Sequence, residues 1–154
     1  MKVRDLFLPD AAATERAGAA LAGCPGLRDL RQLHLRGDLG AGKTTLVRGL
    51  LRALGHQGTV RSPTYTLLEP YEFPGFTVLH FDLYRVADPD ELEYLGVREQ
   101  SGEGSLWLVE WPDRGAGWLP APDLIATLVP DGDGRRLRLT GPRAELISRE
   151  MMDL

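Results

Sequence analysis

One run of nine residues carries the clearest chemical pattern in the sequence. It reads Gly37, Asp38, Leu39, Gly40, Ala41, Gly42, Lys43, Thr44 and Thr45, and its first eight residues match G-x-x-x-x-G-K-[ST]. Glycines at these places let the backbone fold around an anion, so that successive N–H groups and the positive end of a following helix point at it. The run therefore predicts a phosphate-binding loop.

Two side chains of this loop have distinct predicted roles. Lys43 is expected to bridge the β- and γ-phosphates of a nucleotide, and Thr44 to offer its hydroxyl to Mg²⁺, which prefers hard oxygen ligands. The other basic residues are arginines except for Lys2, so a lysine here indicates a demand for a compact charge. The alternative is a glycine-rich turn that only caps a helix, and the strand and helix predicted on either side argue against it.

Two acidic residues are candidates for holding the metal or orienting an attacking water. Glu110 follows a continuous apolar run at residues 106–109, and open α/β sheets place their sites at the carboxyl ends of such strands. Asp82 lies near the end of another predicted strand. The alternative is that each acid is a solvated charge or a helix cap. Three neighbours are interpreted as structural residues: His80, Tyr84 and Trp111.

Composition narrows the ligand and the setting. Guanine-specific GTPases generally carry an Asn-Lys-x-Asp motif, and no lysine follows Lys43, so ATP is the predicted nucleotide. A formal net charge of -4 argues against a general nucleic-acid binder. The single cysteine, Cys24, excludes an intramolecular disulfide and suits a reducing compartment. Residues 1–10 are too polar for a signal peptide or a membrane span. We therefore expect one cytoplasmic domain over residues 1–154, without a membrane partner.

The predicted elements place the loop between a strand and a helix. The strand, at residues 32–36, runs directly into Gly37. Apolar residues at helical spacing follow the loop, and Gly55 stands where a C-terminal cap belongs. Before the strand, Asp10 is predicted to cap a helix that reaches about residue 22. This order of strand, glycine loop and helix is the context that the pattern requires.

Two antiparallel hairpins and one buried strand complete the predicted sheet. The hairpins join residues 66–71 to 77–84 and residues 124–129 to 135–140. The strand before Glu110 is expected to be parallel to the strand before the loop. Further predicted elements are a short strand at residues 59–61, a short helix from Asp88 to Gly96 and a terminal helix from about Arg143. The fold class is α/β, a P-loop NTPase-like three-layer sandwich with a mixed central sheet that includes antiparallel hairpins.

Four blocks of the sequence form a recognisable set. They are residues 37–45, Ser62-Pro63-Thr64-Tyr65-Thr66-Leu67, His80-Phe81-Asp82-Leu83-Tyr84-Arg85 and Glu110-Trp111-Pro112. Together they resemble the bacterial TsaE family, also called YjeE, from about Asp10 through the second hairpin. The four blocks in this order are far more specific than the loop alone.

The resemblance implies a P-loop ATPase that assists synthesis of threonylcarbamoyladenosine at position 37 of tRNA. In that family the transfer chemistry belongs to TsaD, which pairs with TsaB, and tRNA is reached only through their complex. The resemblance implies that the loop binds ATP, that Lys43, Asp82 and Glu110 are catalytic, and that Thr44 and Glu110 lie on the Mg²⁺ side. It also brings three residues from other segments toward the nucleotide: Thr14, Gly134 and Arg135.

The block that begins at Ser62 follows the helix after the loop, where P-loop proteins often carry a γ-phosphate sensor. Residues 62–65 are expected to act as a switch whose order depends on ATP, and a rigid turn is the alternative.

Two other functions of the protein stay open. A stand-alone small-molecule kinase would need an acceptor pocket and a lid, for which the chain has little length left. A binding module would hold ATP without turnover, although Glu110 and Asp82 together favour hydrolysis.

Overall fold

The computed structural model describes residues 4–98 and 104–152. Within these residues, the strands are β1 (Arg4–Leu8), β2 (Gln32–Arg36), β3 (Leu68–Phe73), β4 (Phe76–Asp82), β5 (Ser105–Glu110), β6 (Leu124–Asp131) and β7 (Gly134–Thr140). The α-helices of the same residues are α1 (Ala11–Gly23), α2 (Lys43–Leu54) and α3 (Ala144–Met152), and 3-10 helices run over Pro25–Asp29, Pro89–Leu95 and Pro112–Gly115. None of the helices in this part of the chain is long and apolar enough to cross a bilayer.

The strands form one mixed sheet in the order β1-β7-β6-β2-β5-β4-β3. Strand β2 is parallel to β5 and β6, and β4 is parallel to β5. The pairs β3–β4, β6–β7 and β1–β7 are antiparallel. The predicted α/β class, with its two hairpins and its parallel central strands, is confirmed. Because parallel strands end at the same edge, the carboxyl ends of β2, β4 and β5 lie together.

Several element boundaries differ from the predictions for local reasons. Residues 59–61 form no strand, and the Thr59 carbonyl oxygen instead lies 3.2 Å from the His56 ring nitrogen. The first hairpin begins after Leu67, whose φ of 67° is incompatible with a strand. Strand β4 ends at Asp82 because its carboxylate accepts a hydrogen bond from the Tyr84 N–H. The predicted helix after Asp88 is a 3-10 helix, and β1 was not predicted.

Apolar side chains form two clusters, one on each face of the sheet. The larger cluster joins α1, α2 and α3 to one face. The smaller one lies on the other face and includes Leu92 of the 3-10 helix Pro89–Leu95; in it the Trp107 ring centroid is 4.7 Å from that of Phe81 and 5.7 Å from that of Trp118. Residues of β5 alternate between the two clusters, which explains the continuous apolar run before Glu110.

Helices α1 and α2 approach each other closely through glycines. A Cβ atom on Gly49 would lie 1.9 Å from the carbonyl oxygen of Glu15, and a Cβ atom on Gly18 would lie 2.1 Å from that of Leu46. In both cases the obstacle is backbone, which cannot turn aside as a flexible side chain can. The contact therefore fixes the position of α2, and with it the loop that precedes this helix.

Gly49→Ala is expected to lower the free energy of unfolding by about 1–3 kcal/mol, because the added methyl group overpacks the contact. Intrinsic helix propensity predicts the opposite sign, by about 1 kcal/mol. Urea denaturation followed by circular dichroism measures the change. The control is Gly58→Ala, whose Cβ atom would meet only the His56 ring, at 3.3 Å, and which should not destabilise the protein. A Gly49→Ala variant as stable as the unsubstituted protein would contradict the close helix contact.

Candidate functional site

The predicted phosphate loop lies between β2 and α2. Gly42 is the N-terminal cap of α2, with a left-handed φ of 105°. A glycine offers no side chain to the first N–H groups of the helix, and those groups have no carbonyl partner within the helix itself. The positive end of α2 therefore points into the loop, where an anion would be stabilised.

The Lys43 ammonium group is folded back onto this loop. It donates hydrogen bonds to the carbonyl oxygens of Gly37 and Asp38, and it lies 4.2 Å from the centroid of the Trp111 ring. Burial lowers the pKa of Lys43, and nearby carboxylates, Glu110 foremost, act in the opposite direction. Carbonyl oxygens of the loop thus bind the Lys43 ammonium group, and phosphate oxygens can replace them as its partners.

Asp82 and Glu110 lie side by side at the carboxyl ends of β4 and β5. They are paired in the parallel register of these strands, and only 4% and 3% of their surfaces are exposed. A buried carboxylate needs hydrogen-bond donors or a cation, since removing an unpaired charge from water is costly. The two acids meet this requirement with different partners.

The Asp82 carboxylate holds the predicted switch segment, residues 62–65. Its Oδ2 accepts hydrogen bonds from the hydroxyl groups of Ser62, at 3.3 Å, and Thr64, at 3.0 Å. Its Oδ1 accepts a hydrogen bond from the Tyr84 N–H at 3.0 Å. The segment expected to sense the nucleotide is therefore fastened to one of the two candidate catalytic acids.

The Glu110 carboxylate contacts a histidine instead. Nε2 of His80 lies 2.6 Å from Oε2 of Glu110, and both side chains are buried. The sequence pattern indicated only a structural role for His80. Its place on β4 puts it in direct contact with a candidate metal ligand on β5.

A cleft of about 360 Å³ brings most of the predicted site residues together. Those that line it are Leu39, Gly40, Ala41, Gly42, Lys43, Thr44, Thr45, Asp82, Glu110 and Arg135. Four further residues line the same cleft, although none of them is a predicted nucleotide contact: Ala11, Ser62, Thr64 and Trp111. Gly37 and Asp38 line a second cleft of about 130 Å³, which shares Trp111 with the first.

Two of the predicted nucleotide contacts, Thr14 and Gly134, line neither of these two clefts. Thr14 is fully buried in α1, and its hydroxyl donates a hydrogen bond to the Asp10 carbonyl oxygen at 3.3 Å. Ala11, one turn earlier on this helix, lines the cleft instead. Gly134 is buried so closely against β1 that a Cβ atom there would lie 2.5 Å from the Leu8 carbonyl oxygen.

Arg135 reaches the loop from β7. Its Nη1 donates a hydrogen bond to the carbonyl oxygen of Ala41 at 2.8 Å. A Cβ atom on Gly42 would lie only 2.2 Å from the same nitrogen. The guanidinium group can therefore reach the loop only because residue 42 has no side chain. The second hairpin thus supplies a positive charge to the rim of the cleft.

Mg²⁺ fits the oxygen donors of this cleft. The Thr44 hydroxyl and the Glu110 carboxylate line it together. In the described part of the chain, no group of three or more His, Cys, Asp or Glu residues is arranged to hold a metal ion. Mg²⁺ usually retains several waters and combines one or two protein oxygens with phosphate oxygens, so this sparse donor set suits a metal ion that arrives with a nucleotide.

A strand, a glycine loop and a helix, with acids at the ends of neighbouring parallel strands, define a P-loop NTPase-like protein. The fold and the cleft assign the chain to this class. A family model described as Threonylcarbamoyl adenosine biosynthesis protein TsaE matches residues 8–137. The chain belongs to the TsaE family, as the four sequence blocks predicted.

Relatives with the same name and one solved structure agree with this assignment. The chain is 50% identical over 107 residues to the tRNA threonylcarbamoyladenosine biosynthesis protein TsaE of Haemophilus influenzae, covering 70% of this chain and 68% of that protein. It is 43% identical over 115 residues to the protein of the same name from Synechocystis sp., covering 71% of each. The crystal structure of Bacillus subtilis YdiB matches with a TM-score of 0.74 and 27% identity, over 99% of this chain and 95% of that chain.

Asp82→Ala is expected to loosen residues 62–65, because it removes the acceptor for two hydroxyl groups and one N–H group. The Leu67 N–H donates to the Pro63 carbonyl oxygen at 2.7 Å across this segment, so hydrogen exchange of the Leu67 amide, measured by mass spectrometry without nucleotide, should accelerate about tenfold or more. Glu69→Ala is the control, since it removes only an exposed acceptor 3.3 Å from the Thr66 hydroxyl. Unchanged exchange in Asp82→Ala would show that the carboxylate does not hold the segment.

Proposed function

We propose that the chain binds Mg-ATP in this cleft and hydrolyses it to ADP and phosphate, in support of threonylcarbamoyladenosine synthesis on tRNA. The observation that carries the proposal is the convergence of Lys43, the open end of α2, Asp82 and Glu110 on one cleft. The modified nucleoside comes from the description of the family and from the names of the relatives.

Phosphate binding follows from the groups that the loop presents. The N–H groups of residues 37–45 and of the first turn of α2 would donate to the phosphate oxygens. The Lys43 ammonium would exchange the Gly37 carbonyl oxygen for oxygens of the β- and γ-phosphates. The Arg135 guanidinium lies at the rim of the cleft, where it can contact the nucleotide after leaving the Ala41 carbonyl oxygen.

The two acids have separate proposed roles. Thr44 and Glu110 would hold Mg²⁺, which would supply positive charge to offset that of the phosphates during transfer. Asp82 would orient the attacking water, and its hydrogen bonds to Ser62 and Thr64 make its availability depend on residues 62–65. The segment is thus proposed to act as a switch, with its hydroxyl groups on Asp82 in the absence of ATP and reordered near the γ-phosphate when ATP is bound.

TsaB and TsaD are the proposed partners, and tRNA is proposed to be reached only through them. A net charge of -4 gives the chain little general attraction for the phosphates of RNA, which supports this indirect role.

The proposed setting is the cytoplasm. Burial raises the pKa of the Cys24 thiol to about 11, so this free cysteine has little thiolate at neutral pH and suits a structural role.

Phosphate release separates this proposal from its rivals. ATP turnover is measured for the chain alone, with a TsaB and TsaD pair, and with candidate metabolites. We expect slow release by the chain alone and faster release with the pair. Formation of ADP only when a metabolite is supplied would favour a small-molecule kinase, and no turnover under any condition would favour a binding module.

Lys43→Ala is expected to weaken ATP binding by about a hundredfold or more, because it removes charge-assisted hydrogen bonds to two phosphate groups. Titration calorimetry measures the affinity. Arg52→Ala is the matched control, because it removes one positive charge from the last turn of the same helix, at a side chain 3.9 Å from the Glu15 carboxylate. Undiminished affinity in Lys43→Ala would end the hypothesis that the loop binds the nucleotide.

A further inference from the structure

The buried contact between His80 and Glu110 has no part in the function proposed so far. The two side chains are 0% and 3% exposed, and the distance of 2.6 Å between Nε2 and Oε2 is slightly shorter than the roughly 2.7–2.9 Å typical of charge-assisted N–H···O bonds. A histidine needed only to fill the core would not have to meet a carboxylate that lines the cleft.

The surroundings of the imidazole ring indicate which atom donates. An ionised carboxylate only accepts hydrogen bonds, so Nε2 carries the hydrogen. Among the residues that the structure describes, Nδ1 of His80 has no hydrogen-bond partner. Nε2 is therefore the ring nitrogen with a hydrogen-bond partner, and it donates to the Glu110 carboxylate.

Strand register brings the two side chains together. On the neighbouring strand, His80 is opposite Leu108 and Asp82 is opposite Glu110. His80 therefore lies diagonally across from Glu110, on the same face of the sheet, within reach of a long side chain. Strand β4 therefore carries both Asp82 and His80, the residue that donates a hydrogen bond to Glu110.

We propose that His80 is a positioning residue for Glu110, which holds Oε2 so that Oε1 is left for Mg²⁺. This inference rests on the proposed function. In the described residues, His80 is the one side chain that donates a hydrogen bond to Glu110, whereas both oxygens of Asp82 accept hydrogen bonds. Among these residues, Glu110 therefore has one oxygen without a hydrogen-bond donor, whereas each oxygen of Asp82 has at least one.

His80→Gln and His80→Asn form a matched pair for the test. Both place a neutral amide in the buried site, but the glutamine NH₂ group can extend to about the place of Nε2, whereas the asparagine NH₂ group ends about where Nδ1 lies. Glutamine keeps a donor to Glu110, and asparagine loses it. The readout is the metal dependence of binding, which is the affinity for a non-hydrolysable ATP analogue in Mg²⁺ divided by its affinity in EDTA. Titration calorimetry gives both values.

His80→Asn is expected to reduce this ratio by about tenfold or more, as for other residues that orient a metal ligand. His80→Gln should stay within about threefold of the unsubstituted protein. In a Glu110→Gln background, His80→Asn should cause no further loss, because the histidine acts through the carboxylate. A ratio unchanged in folded His80→Asn would overturn the proposal.

Folding is checked by thermal denaturation of each variant. If His80→Asn does not fold, His80→Leu, which has no donor, replaces it, and the same loss is expected. If neither variant folds while His80→Gln does, His80 is a structural residue and the proposal is overturned. Failure of the unsubstituted protein to bind the analogue would instead contradict the proposed function.

Discussion

Three buried charges at one edge of the sheet impose the main physical constraint on this molecule. A charge removed from water needs partners, and Lys43, Asp82 and Glu110 each have them in the structure. Carbonyl oxygens of the loop bind Lys43, hydroxyl groups of residues 62–65 bind Asp82, and the His80 ring binds Glu110. In the proposed function, phosphate oxygens replace the carbonyl partners of Lys43 and the attacking water replaces the hydroxyl partners of Asp82, so neither charge is left unpaired.

The fold meets this constraint through its topology. Parallel pairing of β2, β5 and β4 brings the loop and both acids to the same edge. The glycine contact between α1 and α2 sets the direction of α2, whose first turn follows the phosphate loop. Residues just beneath this edge can then support the site from the core. His80 illustrates this arrangement, since it is buried among core strands and still contacts a side chain that lines the cleft.

Sequence reasoning succeeded where the signal is local and failed where long-range packing decides. The loop and the strand before Glu110 are continuous patterns, so their elements were predicted correctly. Strand β1 is short and becomes a strand by pairing with β7, which is more than a hundred residues away. The resemblance pointed to the segment around Thr14, but the rotation of α1 turns Thr14 to the core and Ala11 to the cleft. The contact between His80 and Glu110 depends on strand register, which one sequence does not reveal.

The most direct test of the account is a crystal structure of the protein with Mg²⁺ and a non-hydrolysable ATP analogue. The account predicts that residues 37–45 surround the β- and γ-phosphates, that the Lys43 ammonium has moved from the Gly37 carbonyl oxygen to phosphate oxygens, and that Thr44 and Glu110 lie at the metal ion. An analogue bound elsewhere, or a Lys43 still bonded to Gly37 beside a bound nucleotide, would contradict it.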